Sequence, residues 1–179
     1  MNLSSRLGIV IQARTGSSRL PNKIFKKIAN SNSLEIIIRR LKKKFKNKYP
    51  IIIATTTHKN DQVIVDTAKK HNVNYLRGSE KNVLSRFSLV AKKFNLRWIV
   101  RVTSDCPLIN TDLLNRMIKY TNRDYQIISN VIRRRYSKGL DLEIIKTQTL
   151  NSINKLKLSD FYKEHVTKYL YDNIHRYKF

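Results

Sequence analysis

The sequence predicts an α/β protein built around a mainly parallel β-sheet. Short β-like apolar runs alternate along the chain with amphipathic helical segments, and no linker or repeat interrupts them. With 179 residues and a hydrophobic content of 41%, the chain can bury one good core but is too short for two complete enzyme domains. We therefore predict a single domain over residues 1–179.

The first half of the chain predicts three strands with helices between them. Residues 7–11 form the first strand, and a loop rich in glycine, serine and proline follows it. A helix comes next, because apolar residues recur there at helical spacing: Leu34, Ile37, Ile38, Leu41 and Phe45. Residues 51–54 and 73–76 form the next two strands, and Asn60 or Asp61 is expected to cap the helix between them.

The second half predicts further strands and helices in alternation. The expected elements are helix 83–94, strand 98–102, a helix capped by Thr111 or Asp112, strands 125–129 and 140–145, a helix around Leu150 and Ile153, and a last helix at 159–173. Ligands of open α/β sheets bind at the carboxyl ends of the strands. The polar residues that follow each strand are therefore the candidates for a functional site.

The charge of the chain is strongly positive, with 37 Lys and Arg against 12 Asp and Glu and a net charge of +25. Such an excess is typical of proteins with a polyanionic partner. Here, however, the basic residues are spread along the whole chain, and no basic stripe is interleaved with aromatic side chains that could stack bases. We expect no specific nucleic-acid partner.

Cysteine content and hydropathy favour a cytoplasmic protein. The single cysteine, Cys106, cannot form an intramolecular disulfide, and it is expected to be a packing residue rather than a nucleophile. No run of 18 apolar residues is present, and the amino terminus has no apolar leader segment. We therefore expect neither a membrane partner nor an oxidising compartment.

The loop at 12–23 concentrates groups that can bind phosphate. It holds one glycine, three small hydroxyl residues and three cations directly after a strand. Gly16 allows close backbone approach to an anion, and Arg14, Arg19 and Lys23 can neutralise a triphosphate. The loop matches neither the Walker A nor the Gly-x-Gly-x-x-Gly pattern. Taken alone, it is either a phosphate-binding loop or a merely basic surface turn.

Carboxylates follow two later strands. Asp105 is the first acidic residue after the most apolar strand, where it can hold Mg²⁺ against phosphate oxygens or can simply serve as a turn residue. Asp141 and Glu143 are separated by one residue, so on a strand they would share one face and could join Asp105 around a metal. Solvated acids on a polar strand face are the alternative.

Six ordered motifs over nearly the whole chain carry a family resemblance. They are Gln-Ala-Arg-Thr-Gly-Ser-Ser-Arg-Leu-Pro-Asn-Lys at 12–23, Ala-Thr-Thr-Thr at 54–57, Arg-Gly-Ser-Glu at 77–80 with Val-Leu-Ser-Arg-Phe at 83–87, Thr-Ser-Asp-Cys-Pro-Leu-Ile at 103–109, Gly-Leu-Asp-Leu-Glu at 139–143 and Glu-His-Val-Thr at 164–167. Together they resemble the motifs of spore-coat-polysaccharide-type cytidylyltransferases, which are relatives of acylneuraminate and KDO cytidylyltransferases.

The resemblance implies a Rossmann-like nucleotidyltransferase fold, three-layered with a mixed, mainly parallel sheet. CTP and a sugar or sugar acid would react to a CMP-sugar and pyrophosphate for surface polysaccharide or glycan synthesis. Arg14, Lys23 and Asp105 would be catalytic, and Asp105 with Asp141 would hold Mg²⁺. The residues implied in nucleotide binding are Gln12, Ala13, Arg14, Gly16, Ser17, Arg19, Lys23, Thr55, Thr56, Arg77 and Ser79. A homodimer is also implied.

The chain departs from the family pattern at the expected sugar side. Ser104 stands where family members usually have glycine, and Lys138 stands where they usually have aspartate. Family chains also generally continue beyond the Glu-His-Val-Thr motif, so we expect a missing carboxyl-terminal segment and an impaired activity. A nucleotide-sugar glycosyltransferase, which would need an Asp-x-Asp motif, and a catalytically inactive nucleotide-binding homologue are the alternatives.

Overall fold

The structure, a computed structural model, describes residues 6–16 and 23–179. Its strands are β1 (Leu7–Gln12), β2 (Lys27–Ile28), β3 (Ser31–Asn32), β4 (Ile51–Thr56), β5 (Asn74–Gly78), β6 (Trp98–Thr103), β7 (Ile127–Ser129) and β8 (Glu143–Lys146). Its helices are α1 (Ser33–Phe45), α2 (Gln62–Lys70), α3 (Val83–Lys93), α4 (Thr111–Ile118), α5 (Thr147–Asn154), α6 (Asp160–Glu164) and α7 (Lys168–Asp172).

Six of the strands form one mixed sheet in the order β5-β4-β1-β6-β8-β7. The strands β5, β4, β1 and β6 run parallel to one another, whereas β8 runs antiparallel to both β6 and β7. The remaining two, β2 and β3, form a small antiparallel arm. The prediction of a mixed, mainly parallel sheet is confirmed.

Helices cover both faces of this sheet, which gives three layers. Ile9 and Ile11 of β1 pack in one apolar cluster with residues of α1, α2 and α4. Val10 points the other way, into a cluster with residues of α3, α5 and α7. All six residues of β4 are buried, as expected for a central strand covered on both sides. The core therefore lies along β1 and β4.

Asparagine side chains begin three of the long helices. Each accepts a hydrogen bond from a backbone N–H three residues further on, at 2.9 to 3.0 Å: Asn32 for α1, Asn82 for α3 and Asn110 for α4. The expectation that Thr111 or Asp112 caps α4 is therefore wrong. Asp61 does precede α2, but its side chain makes no capping hydrogen bond.

The carboxyl-terminal third differs from the sequence prediction in two places. The strand expected at 140–145 begins only at Glu143, because the Asn130 side chain donates to the Leu140 carbonyl and accepts from the Leu142 N–H, both at 2.9 Å. The helix expected at 159–173 is divided, since His165 leaves the helical conformation between α6 and α7. In the described parts of the chain, no helix is long and apolar enough to cross a membrane.

Candidate active site

The carboxyl ends of the parallel strands meet at one edge of the sheet. The register places Gln12 at the end of β1 opposite Thr103 at the end of β6, and Thr56 of β4 lies opposite Gly78 of β5. The segments that leave these strands contain the predicted site residues. The fold therefore gathers at this edge motifs that are as much as 150 residues apart in the sequence.

Lys23 and Asp105 form an ion pair at this edge. The Lys23 Nζ lies 2.7 Å from Asp105 Oδ2, and both side chains are partly exposed to solvent. Lys23 opens a short 3-10 turn that is anchored by the buried Ile24. Burial opposes ionisation of the Asp105 carboxyl, but the hydrogen bond and charge of Lys23 outweigh it and lower the pKa of Asp105. Asp105 is thus a carboxylate at neutral pH.

Arg14 forms a second ion pair at the same edge, with a residue from the end of the chain. Its Nη2 lies 2.9 Å from Glu164 Oε1, at the end of α6. The positive charges of Arg14 and Lys23 are thus each paired with a carboxylate in the protein without ligand. About a third of each cation's side chain is exposed to solvent. A phosphate group can reach these cations from solvent.

Asp61 gathers the hydroxyl groups around the start of the loop. It is 1% exposed and accepts hydrogen bonds from the Thr15 N–H at 2.8 Å, from the Thr15 hydroxyl at 2.6 Å and from the Thr56 hydroxyl. The Thr55 hydroxyl lies 3.4 Å away. Burial opposes ionisation, but the hydrogen bonds of Thr15 and Thr56 prevail and lower the pKa of Asp61. Asp61 therefore ties β4 to the residues that follow β1.

The expected nucleoside-pocket residues divide into buried and exposed groups. Thr55 and Thr56 are fully buried, and their hydroxyls face Asp61. The Arg77 guanidinium donates to the Thr56 carbonyl at 2.9 Å and to the His58 carbonyl at 2.8 Å, so it supports the turn after β4. Ser79 is exposed beyond β5. Their part in binding a nucleoside stays a prediction.

The loop residues in the described ranges lie where β1 ends. Gln12 accepts a hydrogen bond from Arg101 Nη2 at 3.3 Å, and Ala13 is buried with its N–H bonded to the Ala54 carbonyl at 3.2 Å. Gly16 is exposed beside Glu80. The predicted phosphate contacts at Ser17 and Arg19 lie outside the described residues.

A cavity of about 620 Å³ opens beside the Lys23–Asp105 pair. Asp105, Asp141 and Glu143 line it together with Thr103, Cys106, His165 and Lys168. The structure thus brings the predicted metal ligands Asp105 and Asp141 to one cavity. The strand argument for Asp141 is wrong, however, because Asp141 precedes β8 and pairs with Arg134 at 2.6 Å. Burial raises the pKa of the Cys106 thiol, which favours its neutral form.

A buried polar network at the back of the cavity was missed from the sequence. Glu143 is 5% exposed and accepts from Arg101 Nη1 at 2.5 Å and from the Tyr171 hydroxyl. Burial raises the pKa of Tyr171, so the hydroxyl stays protonated and donates. The available signal was Arg101, a cation within the otherwise apolar strand β6. Glu143 thus lines the cavity while its carboxylate contacts Arg101, and a metal role for it stays one of the two alternatives.

The donor groups in the cavity fit a metal that shares its coordination shell with phosphate. Mg²⁺ is usually held by one or two carboxylates together with substrate phosphates and water. Asp105 and Asp141 keep 43% and 40% of their side chains exposed, so both can turn toward such an ion. Within the described ranges, no group of three or more His, Cys, Asp or Glu residues is arranged to hold a metal alone.

The sheet order, the edge cations and the neighbouring carboxylates are typical of α/β proteins that bind phosphate groups. The family model described as "Cytidylyltransferase" matches residues 8–179 of the chain. The chain therefore belongs to the cytidylyltransferase family, as the ordered motifs implied, and is a nucleotidyltransferase. The Rossmann-like nucleotidyltransferase fold is confirmed as well.

Two curated relatives match over most of the chain. An uncharacterised protein of Methanocaldococcus jannaschii is 40% identical over 172 residues, which cover 94% of this chain and 68% of the relative. The spore coat polysaccharide biosynthesis protein SpsF of Bacillus subtilis is 32% identical over 168 residues, which cover 90% of this chain and 68% of the relative. Both relatives are thus longer than this chain.

Solved structures show the same fold. A cytidylyltransferase from Leptospira borgpetersenii superposes with a TM-score of 0.90 at 32% identity, covering 97% of this chain and 74% of that chain. A CMP:2-keto-3-deoxy-manno-octonic acid synthetase complexed with CTP superposes with a TM-score of 0.67 at 15% identity, covering 97% of this chain and 87% of that chain. The second likeness establishes the shared fold alone.

Proposed function

We propose that the protein transfers CMP from CTP to a hydroxyl of a sugar or sugar acid, with Mg²⁺ as cofactor, in surface polysaccharide synthesis. The Lys23–Asp105 pair, at the mouth of a cavity where β1 and β6 end, is the observation that carries this proposal. The relatives support it, since one is named for spore coat polysaccharide biosynthesis and one structure contains CTP.

Arg14 and Lys23 would bind the triphosphate. Both cations are paired with partly exposed carboxylates, at 2.9 Å and 2.7 Å, so incoming phosphate oxygens can share or replace those partners. In the reaction, an oxygen of the acceptor hydroxyl forms a bond to the α-phosphorus as the bond to the departing pyrophosphate breaks, and the proton of that hydroxyl passes to solvent water. Fixed cations stabilise the charge that develops on the phosphates, which is the main source of catalysis in phosphoryl-group transfer.

Asp105 and Asp141 would hold Mg²⁺ through their partly exposed carboxylates. The ion would supply a Lewis acid for the phosphate oxygens. Asp105 is ionised at neutral pH because its pKa is lowered, so it can act as a ligand without first losing a proton. Its present partner Lys23 remains beside it and can donate hydrogen bonds to the phosphate oxygens, which keeps the two charges close together.

The acceptor would occupy the cavity beyond Asp105. Its walls offer a hydroxyl, a carboxylate, an imidazole and an ammonium group, from Thr103, Asp141, His165 and Lys168 respectively. A polyhydroxylated sugar needs such a mixture of hydrogen-bond donors and acceptors. The exposed ring of Phe161 adds an apolar surface against which a sugar ring can pack.

Pyrophosphate release is the decisive measurement. The protein is incubated with Mg²⁺, each of the four NTPs in turn, and a panel of neutral sugars and sugar acids. Of the four NTPs, we expect only CTP to give pyrophosphate in the presence of the sugars. The rate of release should fall by roughly 100-fold or more in Lys23→Ala and in Asp105→Ala. Lys27→Ala, which removes an exposed lysine of β2, is the matched control and should keep full activity.

Thermal unfolding tests nucleotide binding separately from turnover. CTP with Mg²⁺ should raise the melting temperature of the wild-type protein and of Lys27→Ala, and should raise that of Lys23→Ala much less. The proposal fails if no NTP shifts the melting temperature and no pyrophosphate forms.

The homodimer and the cytoplasmic location stay predictions. The homodimer can be checked by size-exclusion chromatography with light scattering.

A further inference from the structure

Arg86 is a fully buried arginine that the proposed reaction does not yet use. It lies in the first turn of α3, and its side chain is 0% exposed. Burial, together with the nearby charge of Arg14, lowers the pKa of Arg86 to about 10. The guanidinium therefore still carries its positive charge at neutral pH, inside the protein.

The contacts of Arg86 leave most of the guanidinium unsatisfied. Nη1 donates to the Ser79 carbonyl at 2.5 Å and to the Glu80 carbonyl at 3.3 Å. Nε and Nη2 have no hydrogen-bond partner among the residues that the structure describes. In the same part of the chain, no carboxylate forms an ion pair with Arg86. The buried charge is thus held by two carbonyl groups.

The position of Arg86 is unfavourable for stability. A buried charge without an ionic partner is costly, and a cation in the first turn of a helix also opposes the helix dipole. The backbone is nevertheless adapted to it, because a Cβ at Gly78 would lie 2.9 Å from Arg86 Cγ.

Arg86 lies close to Arg14, at the start of the loop at 12–23. The turn that its guanidinium holds includes Glu80, whose Oε1 would be 3.3 Å from a Cβ at Gly16. The charges of Arg14, Asp61 and Glu80 are all close enough to act on the guanidinium. A triphosphate bound by this loop would therefore lie within reach of its field, although Arg86 itself stays buried.

We propose that Arg86 is a positioning residue for the triphosphate: its buried charge attracts the phosphates, and its hydrogen bonds fix the turn at 79–80 beside the loop. The inference rests on the proposed nucleotide binding. Because the effect is electrostatic, it increases with the charge of the ligand. If Arg86 only held the turn, its replacement would instead change the affinities for CTP, CDP and CMP by the same factor.

Affinities for CTP, CDP and CMP, measured by calorimetry in Mg²⁺, separate these cases. In Arg86→Met, we expect CTP affinity to fall about 10- to 100-fold, CDP affinity less, and CMP affinity only a few-fold. Arg86→Gln, which keeps a donor for the Ser79 and Glu80 carbonyls but carries no charge, should lose CTP affinity as Arg86→Met does. Arg116→Met removes an exposed arginine of α4 and should leave all three affinities unchanged.

Unfolding in urea completes the test. Arg86→Met should be as stable as the wild-type protein or more stable, since it removes a charge without an ionic partner. Equal losses for all three nucleotides, or unchanged CTP affinity in a folded Arg86→Met, would overturn the inference while leaving nucleotide binding intact. If the wild-type protein itself binds none of the three, the proposed function fails together with the inference.

Discussion

At the scale of single residues, Asp61 shows how a buried carboxylate organises the site without touching solvent. Its two oxygens accept one backbone N–H and the hydroxyls of Thr15 and Thr56. These donors come from the loop after β1 and from the end of β4. Removing the carboxylate would leave several buried donors without an acceptor, and each such group costs free energy.

Replacing Asp61 should therefore destabilise the protein strongly. For Asp61→Ala we expect a loss of roughly 2 to 4 kcal/mol in the free energy of unfolding, measured by urea denaturation. Asp66→Ala removes an exposed carboxylate of α2 and should change stability by less than about 0.5 kcal/mol. A loss in Asp61→Ala no larger than that of the control would contradict this account of the threonine hydroxyls.

The sequence was informative about Lys23 and Asp105 but not about Asp61. The first two follow strands, and parallel strands present their carboxyl ends at one edge, so their meeting at 2.7 Å follows from topology. Asp61 precedes α2, where an aspartate is normally a helix cap. Its actual donors include Thr15, 46 residues away, and no local pattern specifies such a contact.

At the scale of secondary structure, predictions from hydrophobic periodicity held wherever packing decides the element. The strands β1, β4 and β6 and the helix α1 appear where the apolar residues predicted them. One exception, besides the division of the last helix at His165, is the segment before β8, where the side chain of Asn130 takes the hydrogen bonds that a strand partner would take. Side-chain amides can compete in this way anywhere, so alternation alone placed Asp141 wrongly on a strand.

Glu35 links three elements through one carboxylate. It lies in the first turn of α1 and contacts the hydroxyl of Ser31 in β3 at 3.0 Å, Lys70 at the end of α2 at 2.9 Å and the ring of His71 at 3.3 Å. The hydrogen bond from Lys70 is the largest influence on it, and the pKa of Glu35 is lowered to about 2 from 4.5. The ionised form is thus favoured by folding.

The stability contributed by Glu35 should disappear in acid. Because the folded-state pKa is the lower one, this contribution is complete above about pH 4.5 and is lost as the pH falls toward 2. Glu35→Gln should therefore lose roughly 1 to 2 kcal/mol at pH 7 and show a flatter pH dependence between these values. Urea unfolding at several pH values measures both, and Asp66→Asn should retain the wild-type pH dependence. An unchanged slope in Glu35→Gln would refute the assignment.

At the scale of the whole molecule, the net charge of +25 affects both stability and binding. Positive side chains in such excess repel one another in the folded state, and they raise the local concentration of anions around the protein. The ion pairs of Arg14 and Lys23 use two of the few carboxylates, which leaves most of the basic residues without an acidic partner to neutralise them. The excess of positive charge thus attracts any anion to the protein. Selectivity for one anion over another must come from specific contacts at the site.

Salt should consequently stabilise this protein. Raising NaCl from ~0.05 M to ~0.5 M shortens the range of charge repulsion to a few ångströms, so we expect the melting temperature to increase by several degrees. Surface ion pairs weaken under the same change, but each contributes little and they are far outnumbered by unpaired cations. Pyrophosphate at matched ionic strength should add a further increase, because the proposed function places its binding site at Arg14 and Lys23. That additional increase should vanish in Lys23→Ala and persist in the control variant Lys27→Ala. An equal increase in both variants and in the wild-type protein would show that pyrophosphate acts on the general positive charge and not at this site.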